Sequence, residues 1–341
     1  MVAADGGSGG SAGARRPLPA DAGGLVELAA GGTVRATARL LSRLETGGKG
    51  AAEVSAATAG RTRAAAVWGL TGPPGVGKST LTAALISDAR AAGRRVAVLA
   101  VDPSSPFSGG ALLGDRVRMA EHVTDIGVFI RSMASRGHLG GLSSATPAAV
   151  DLMSAIGFEL VLVETVGVGQ NEIDVLRLAD TVAVVTAPGA GDGIQAAKAG
   201  ILEIADVLVV NKADREGAAA TVRELKSMVA LGRAGDTRGG RWRIPVLATT
   251  ATTAEGIPAL VEQFRAHAEY AAATGLDSHR RRARSEIAVQ TLVLDRLHGL
   301  LQSSTGRARL TAAATEPADS GGDANRAAAT LWRWIQHQPY Q

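Results

Sequence analysis

The sequence predicts an α/β fold: a mostly parallel sheet flanked by helices, with further helical segments at both ends of the chain. Three observations carry this reading. Short β-rich runs recur through the middle of the chain: Val67–Thr71, Val96–Val101, Val128–Arg131, Leu160–Glu164, Val182–Ala187, Val207–Asn211 and Val246–Ala248. Segments long enough for crossover helices, such as Lys78–Ala92 and Gly191–Ile204, separate most of them, and alternating strand and helix marks parallel βαβ units. Finally, 46% of the 341 residues are apolar and 20% are charged, which is enough to bury a core and excludes wholesale disorder.

Taken in order, residues 1–24 are rich in Gly, Ala and Ser and lack an apolar h-region, so they predict a disordered leader and not a signal peptide. Residues 25–60 form a helical extension and linker. Leu25, Leu28, Val34, Ala38, Leu41 and Leu44 recur at mostly helical spacing, giving one or two amphipathic helices. The Gly- and Ala-rich stretch Thr46–Gly60 then reads as the linker. Residues 61–270 hold the strands and form the main domain. Residues 271–341 form a helical arm and tail, in which His279-Arg280-Arg281-Arg282-Ala283-Arg284 gives a basic start and Ile287, Leu294, Leu297 and Leu301 follow on one stripe. Those arginines read either as a solvated face of a packing helix or as a docking surface for another chain. Ser303–Asn325 is polar and reads as loose, while Trp332 and Trp334 suit packing against the body or a second subunit.

Composition narrows the function. Aromatics are only 3% and net charge is only +4, which argues against stacking platforms for single strands and against a polyanion partner. No nucleic acid is therefore expected. No run approaches the roughly 18 apolar residues that a membrane span needs, so no membrane is expected either. The absence of Cys excludes disulfides, thiolate metal sites and Cys nucleophiles, and it suits a reducing cytoplasm.

The first strand runs directly into Gly72-Pro73-Pro74-Gly75-Val76-Gly77-Lys78-Ser79-Thr80, a full G-x-x-x-x-G-K-S match. Glycines at this spacing let successive backbone N–H groups curl around phosphate oxygens without Cβ clashes. The helix that follows points its positive end at the same anion. Lys78 is placed to reach the β- and γ-phosphates, and the Ser79 hydroxyl to ligate Mg²⁺. Strand, loop and helix stand in the required order, which predicts a nucleoside triphosphate site.

The base is read from Asn211-Lys212-Ala213-Asp214, which follows the strand Val207–Val210. A carboxylate at Asp214 can accept both N1–H and the exocyclic amine of guanine, a donor pair that adenine lacks. The Lys212 stem can lie along the base plane. The next strand leads to Thr250-Ala251, where a backbone N–H could meet the guanine O6. The predicted ligand is GTP, with GDP as product.

Three acids sit at or beyond strand ends on the same edge: Asp102, Asp115 and Glu164. Glu164-Thr165-Val166-Gly167 resembles the D-x-x-G switch with Glu in place of Asp, so that Glu164 would hold Mg²⁺ through water and the Gly167 N–H would sense the γ-phosphate. Hard oxygen ligands are what Mg²⁺ prefers. Lys78, Asp102 and Glu164 are the candidates for catalytic roles. No acid, His or Gln stands out as the residue that orients the attacking water; His122 and His138 read as loop or surface histidines.

With these residues in place, the chain resembles the MeaB/ArgK GTPases. The likeness lies in Thr71–Leu81, Val101–Ser105, Leu113–Met119, Glu164-Thr165-Val166-Gly167-Val168-Gly169-Gln170-Asn171-Glu172, Ala187–Asp192 and Asn211–Asp214, in family order, from about Leu25 to Leu301. The resemblance implies a P-loop GTPase fold and a G-protein chaperone of an adenosylcobalamin-dependent acyl-CoA mutase, typically methylmalonyl-CoA mutase. Such a chaperone gates cofactor loading and protects the mutase. The resemblance further implies that Ser79, Asp102, Asp115 and Glu164 surround Mg²⁺ and that Gln195 and Lys198, within Ala187–Lys198, belong to a switch that relays the nucleotide state. It also implies a homodimer formed through the C-terminal arm. The sequence departs from the family in its Gly-rich leader, in an expanded Gly47–Arg63 and in Thr250-Ala251 where Ser-Ala is commoner.

Two other readings share the fold class. A nickel-delivering metallochaperone GTPase would need Cys ligands or a cluster of His, and this sequence has no Cys and no His cluster. An ATP-dependent kinase or transport ATPase would need Asn211–Asp214 not to read guanine.

Overall fold

The computed structural model describes residues 17–61, 65–103, 122, 124–135, 145–165, 178–190, 204–231, 242–320 and 323–338. Strands β1 (Ala66–Thr71), β2 (Val96–Pro103), β3 (Val128–Ser135), β4 (Leu160–Thr165), β5 (Thr181–Thr186), β6 (Val207–Asn211) and β7 (Val246–Thr249) form one sheet. Its order is β3-β2-β4-β1-β5-β6-β7, and every pairing is parallel. All seven predicted runs are strands, and β3 continues past Arg131 to Ser135.

The strands read as continuous apolar runs because both faces of the sheet are covered. In β4, Leu160 and Leu162 belong to one core, and Val161 and Val163 to the other. Helices α4 (Lys78–Ala91) and α7 (Ile257–Thr274) cover the first face with Leu81, Leu85, Ile86, Leu260 and Phe264. The Phe264 ring stacks on Trp68 of β1 at 4.4 Å. The second face lies under α1 (Ala22–Ala30), α2 (Val34–Thr46), α3 (Gly48–Thr58), α5 (Ala145–Ala155) and α6 (Ala218–Leu231).

Among the described residues, three further helices follow: α8 (Leu276–Gln302), α9 (Ser304–Ser320) and α10 (Ala324–Gln336). The first is fastened at its base to the N-terminal edge of the sheet. Arg280 donates to both oxygens of Asp206, at 2.8 and 2.9 Å, and Arg284 reaches Asp180 Oδ1 at 2.7 Å. His267 of α7 lies between Thr181 Oγ1 at 2.8 Å and Asp206 Oδ1 at 3.1 Å. Among the described residues, no helix is long and apolar enough to cross a membrane.

Three local expectations are corrected. Thr46–Gly60 is not a linker, because Gly48–Thr58 is α3 and its Val54 is buried. Alanines are strong helix formers, and Val54, with Ala51 and Ala57, packs this Ala-rich segment against the core. Ser303–Asn325 is not loose either, since Ser304–Ser320 is α9. The predicted leader overlaps α1, which begins at Ala22 behind an Asp21 cap whose carboxylate accepts the Gly24 N–H; residues 1–16 lie outside the described residues.

Candidate functional site

The candidate site lies at the carboxyl ends of the strands beside β1. From β1 the chain passes through α4 to β2 on one side, while β5, β6 and β7 extend the sheet on the other. Such a switch point is where open α/β sheets bind ligands.

The loop Gly72–Gly77 joins β1 to α4. At Gly72, φ is +145° and a Cβ would come within 2.0 Å of the Val185 carbonyl oxygen, so only glycine lets the loop cross β5 this closely. At Gly77, φ is +93° and a Cβ would meet Asn211 Nδ2 at 2.5 Å. Lys78 is buried, and its Nζ donates to the carbonyls of Gly72 at 2.7 Å and Pro73 at 3.1 Å. The ammonium thus sits in the mouth of the loop, where an anion would compete with neutral carbonyls for it. Thr80 is half-buried beside it, and Pro74 and Gly75 are exposed.

Asn211 ties this loop to the two loops that follow β6 and β7. Its Nδ2 donates to the carbonyls of Val76 and Gly77, at 3.0 and 3.3 Å. Its Oδ1 accepts from Thr249 Oγ1 and from the Ala251 N–H, each at 3.2 Å. Lys212 has a positive φ of 58° and donates from Nζ to the Gly75 carbonyl at 2.5 Å. Asp214 is exposed in the turn after β6, and Thr250 is buried in a bridge with Glu255. Phosphate loop, Asn211–Asp214 and Thr250-Ala251 therefore form one hydrogen-bonded unit.

Glu164, at the end of β4, is buried against α4. Its Oε1 accepts from Ser79 Oγ at 2.8 Å and its Oε2 from Thr82 Oγ1 at 2.9 Å. A hydroxyl and a carboxylate converging beside a phosphate loop are hard oxygen donors of the kind Mg²⁺ takes. The backbone of Asp102 lies in β2, paired with Ala134. Asp115, Gly167, Gln195 and Lys198 lie outside the described residues. His122 is half-buried against α4, its Nε2 lying 3.2 Å from the Ala83 carbonyl.

Sequence reasoning missed two residues. Thr82 stands one turn beyond Ser79, and three-residue spacing on a helix places both on one face, so that signal was present. Thr249 orients Asn211 from a different strand, and nothing local to it announces that role.

The sequence pattern of one family, described as methylmalonyl Co-A mutase-associated GTPase MeaB, matches residues 37–305. A protein of Pyrococcus abyssi named as a GTPase is 48% identical over 283 residues, covering 83% of this chain and 87% of that protein. The mitochondrial methylmalonic aciduria type A homolog of Mus musculus is 36% identical over 225 residues, covering 66% of this chain and 54% of that protein. Among solved structures, one titled LAO/AO transport system kinase superposes with a TM-score of 0.61 at 22% identity, covering 92% of this chain and 97% of that one. At that identity the likeness speaks for the fold alone.

Proposed function

The chain belongs to the MeaB family of methylmalonyl-CoA mutase-associated GTPases, and from that premise we propose that its GTP hydrolysis serves a chaperone role. The partner is an adenosylcobalamin-dependent acyl-CoA mutase of the methylmalonyl-CoA mutase type, which the chain assembles and protects by gating cofactor loading. The observation that carries the nucleotide half of this reading is Asn211, which bonds the phosphate loop and the Ala251 loop at once. A base read by one loop is thereby registered against phosphates held by the other.

In this reading Gly72–Thr80 cradle the triphosphate, and Lys78 exchanges two loop carbonyls for phosphate oxygens. Asp214, with Lys212, Thr250 and Ala251 around it, selects guanine. Ser79 and Glu164, with Asp102 and Asp115, hold Mg²⁺; when bound, the ion neutralises charge developing on the β- and γ-phosphates. The Gly167 N–H senses the γ-phosphate, and Gln195 and Lys198 relay the nucleotide state to the mutase. Two copies of the chain associate through the C-terminal arm, and the assembly works in the cytoplasm.

The test is co-purification with candidate cobalamin-dependent mutases, followed by GTP turnover with and without each. The expected result is stimulation by one of them of at least about tenfold, which corresponds to about 1.4 kcal/mol off the barrier. If no mutase changes the rate, the chaperone role falls and the GTPase stands.

A further inference from the structure

Thr82 has no role in the nucleotide reading above, yet it touches the centre of the site. It lies on α4 and is fully buried. Its Oγ1 is 2.9 Å from Glu164 Oε2, while Ser79 Oγ is 2.8 Å from Glu164 Oε1. One face of α4 therefore grips both oxygens of the carboxylate. Thr82 Oγ1 also lies 3.0 Å from the Lys78 carbonyl oxygen. A hydroxyl carries a single proton, so Thr82 donates to Lys78 or to Glu164, and not to both at once.

We propose that Thr82 is a positioning residue for Glu164, holding Oε2 so that Oε1 stays turned toward Ser79, and that it thereby sets how tightly Mg²⁺ is retained with the nucleotide. The proposal rests on the reading of Ser79 and Glu164 as Mg²⁺-holding residues. A glutamate has more rotatable bonds than the aspartate of the ordinary switch motif, so its carboxylate has more orientational freedom to lose. The Thr82 contact restrains Oε2 before any ligand arrives, and a group already ordered loses less entropy on binding. The Lys78 carbonyl, also within reach, gives the buried Thr82 hydroxyl a second acceptor.

The experiment measures binding of N-methylanthraniloyl-GDP to the full chain, in EDTA and across a Mg²⁺ titration, so that the readout is the affinity conferred by Mg²⁺ and not turnover. Thr82→Val keeps the shape and removes the hydroxyl. It is expected to bind the nucleotide normally in EDTA and to lose about tenfold of the Mg²⁺-conferred gain. Thr82→Ala should match it without the added methyl, and Thr82→Ser should restore the gain. Hydroxyl-free variants with an unaltered Mg²⁺ dependence overturn the proposal, as does a Thr82→Ser chain no better than Thr82→Val. Ser79→Ala and Glu164→Gln separate the two levels. If neither reduces the Mg²⁺ gain, the underlying reading of the site fails; if both do and Thr82→Val does not, only the role of Thr82 fails.

Discussion

The N-terminal helices α1–α3 and the C-terminal helix α8 are both amphipathic, but they place their apolar residues in opposite ways. Leu25, Val26, Ala29, Leu40 and Leu41 are wholly buried and share a core with β1, β2 and β4. On α8, Val289, Leu292, Val293 and Leu294 are 49–62% exposed. The charged residues reverse the pattern. Arg280 and Arg284 turn inward onto Asp206 and Asp180, while His279, Arg281 and Arg282 stay exposed, so the basic start of the arm is part clamp and part solvated face. One end of the molecule is held by its grease and the other by its ion pairs. Amphipathicity alone states that a face needs covering; it does not state what covers it.

The comparison breaks most decisively at Leu40. If α1–α3 are part of the core, Leu40→Ala should destabilise the whole domain by about 3 kcal/mol, the usual scale for truncating a fully buried leucine. Urea unfolding followed by both far-UV circular dichroism and nucleotide binding should shift as a single transition. Two separate transitions, with only the first moved, would make these helices an appendage after all.

A smaller effect belongs to the clamp at the base of the arm. Burial alone would raise the Asp206 carboxyl, but His267 and Arg280 beside it outweigh that and hold it below the usual carboxylate range. The clamp therefore contributes in full above the unfolded-state value of about 3.9 and is lost as pH falls through the lower folded value. Asp206→Asn should cost about 2 kcal/mol at neutral pH, discounted for the partial exposure of Arg280. Thermal melts from pH 7 down to about pH 3 should show the gap between wild type and variant closing at the acid end. A gap independent of pH would mean that packing, and not charge, seats α8.

What was legible in the sequence follows the same division. Strands buried on both faces declare themselves as apolar runs, so β1–β7 were readable, and Gly72–Thr80 encodes its geometry in consecutive residues. Ser79 and Glu164 are 85 residues apart, but each sits in a recognisable local motif, so their meeting could be anticipated. The α3 helix could not, because Gly47 and Gly48 disguise an Ala-rich segment whose single buried anchor, Val54, finds its partners only in three dimensions. Arg280 and Arg284 were misread for a related reason. Their acceptors stand at the starts of β5 and β6, some 70 to 100 residues away, and no pattern on α8 itself distinguishes an inward arginine from an outward one. Trp334 was undecided in the sequence and lies within the arm, under the guanidinium of Arg309 at 5.5 Å.

The gentlest perturbation tests what the exposed stripe is for. Val289 and Val293 are one turn apart on α8 and are 62% and 52% exposed, so replacing both with Ser should alter the stability of a single chain by no more than about 0.5 kcal/mol. If the arm joins two copies of the chain, the same pair of changes should convert a dimer to a monomer in size-exclusion chromatography with light scattering, leaving GTP binding unchanged. A variant that remains dimeric places the interface elsewhere. A wild-type chain that is already monomeric removes the homodimer and leaves the stripe to the mutase. In that case the arm, tied by Arg280 and Arg284 to the starts of the strands β5 and β6, would sit at the edge of the sheet opposite the nucleotide, and the nucleotide state would have to be carried from the carboxyl ends of the strands to their amino ends to reach a partner there.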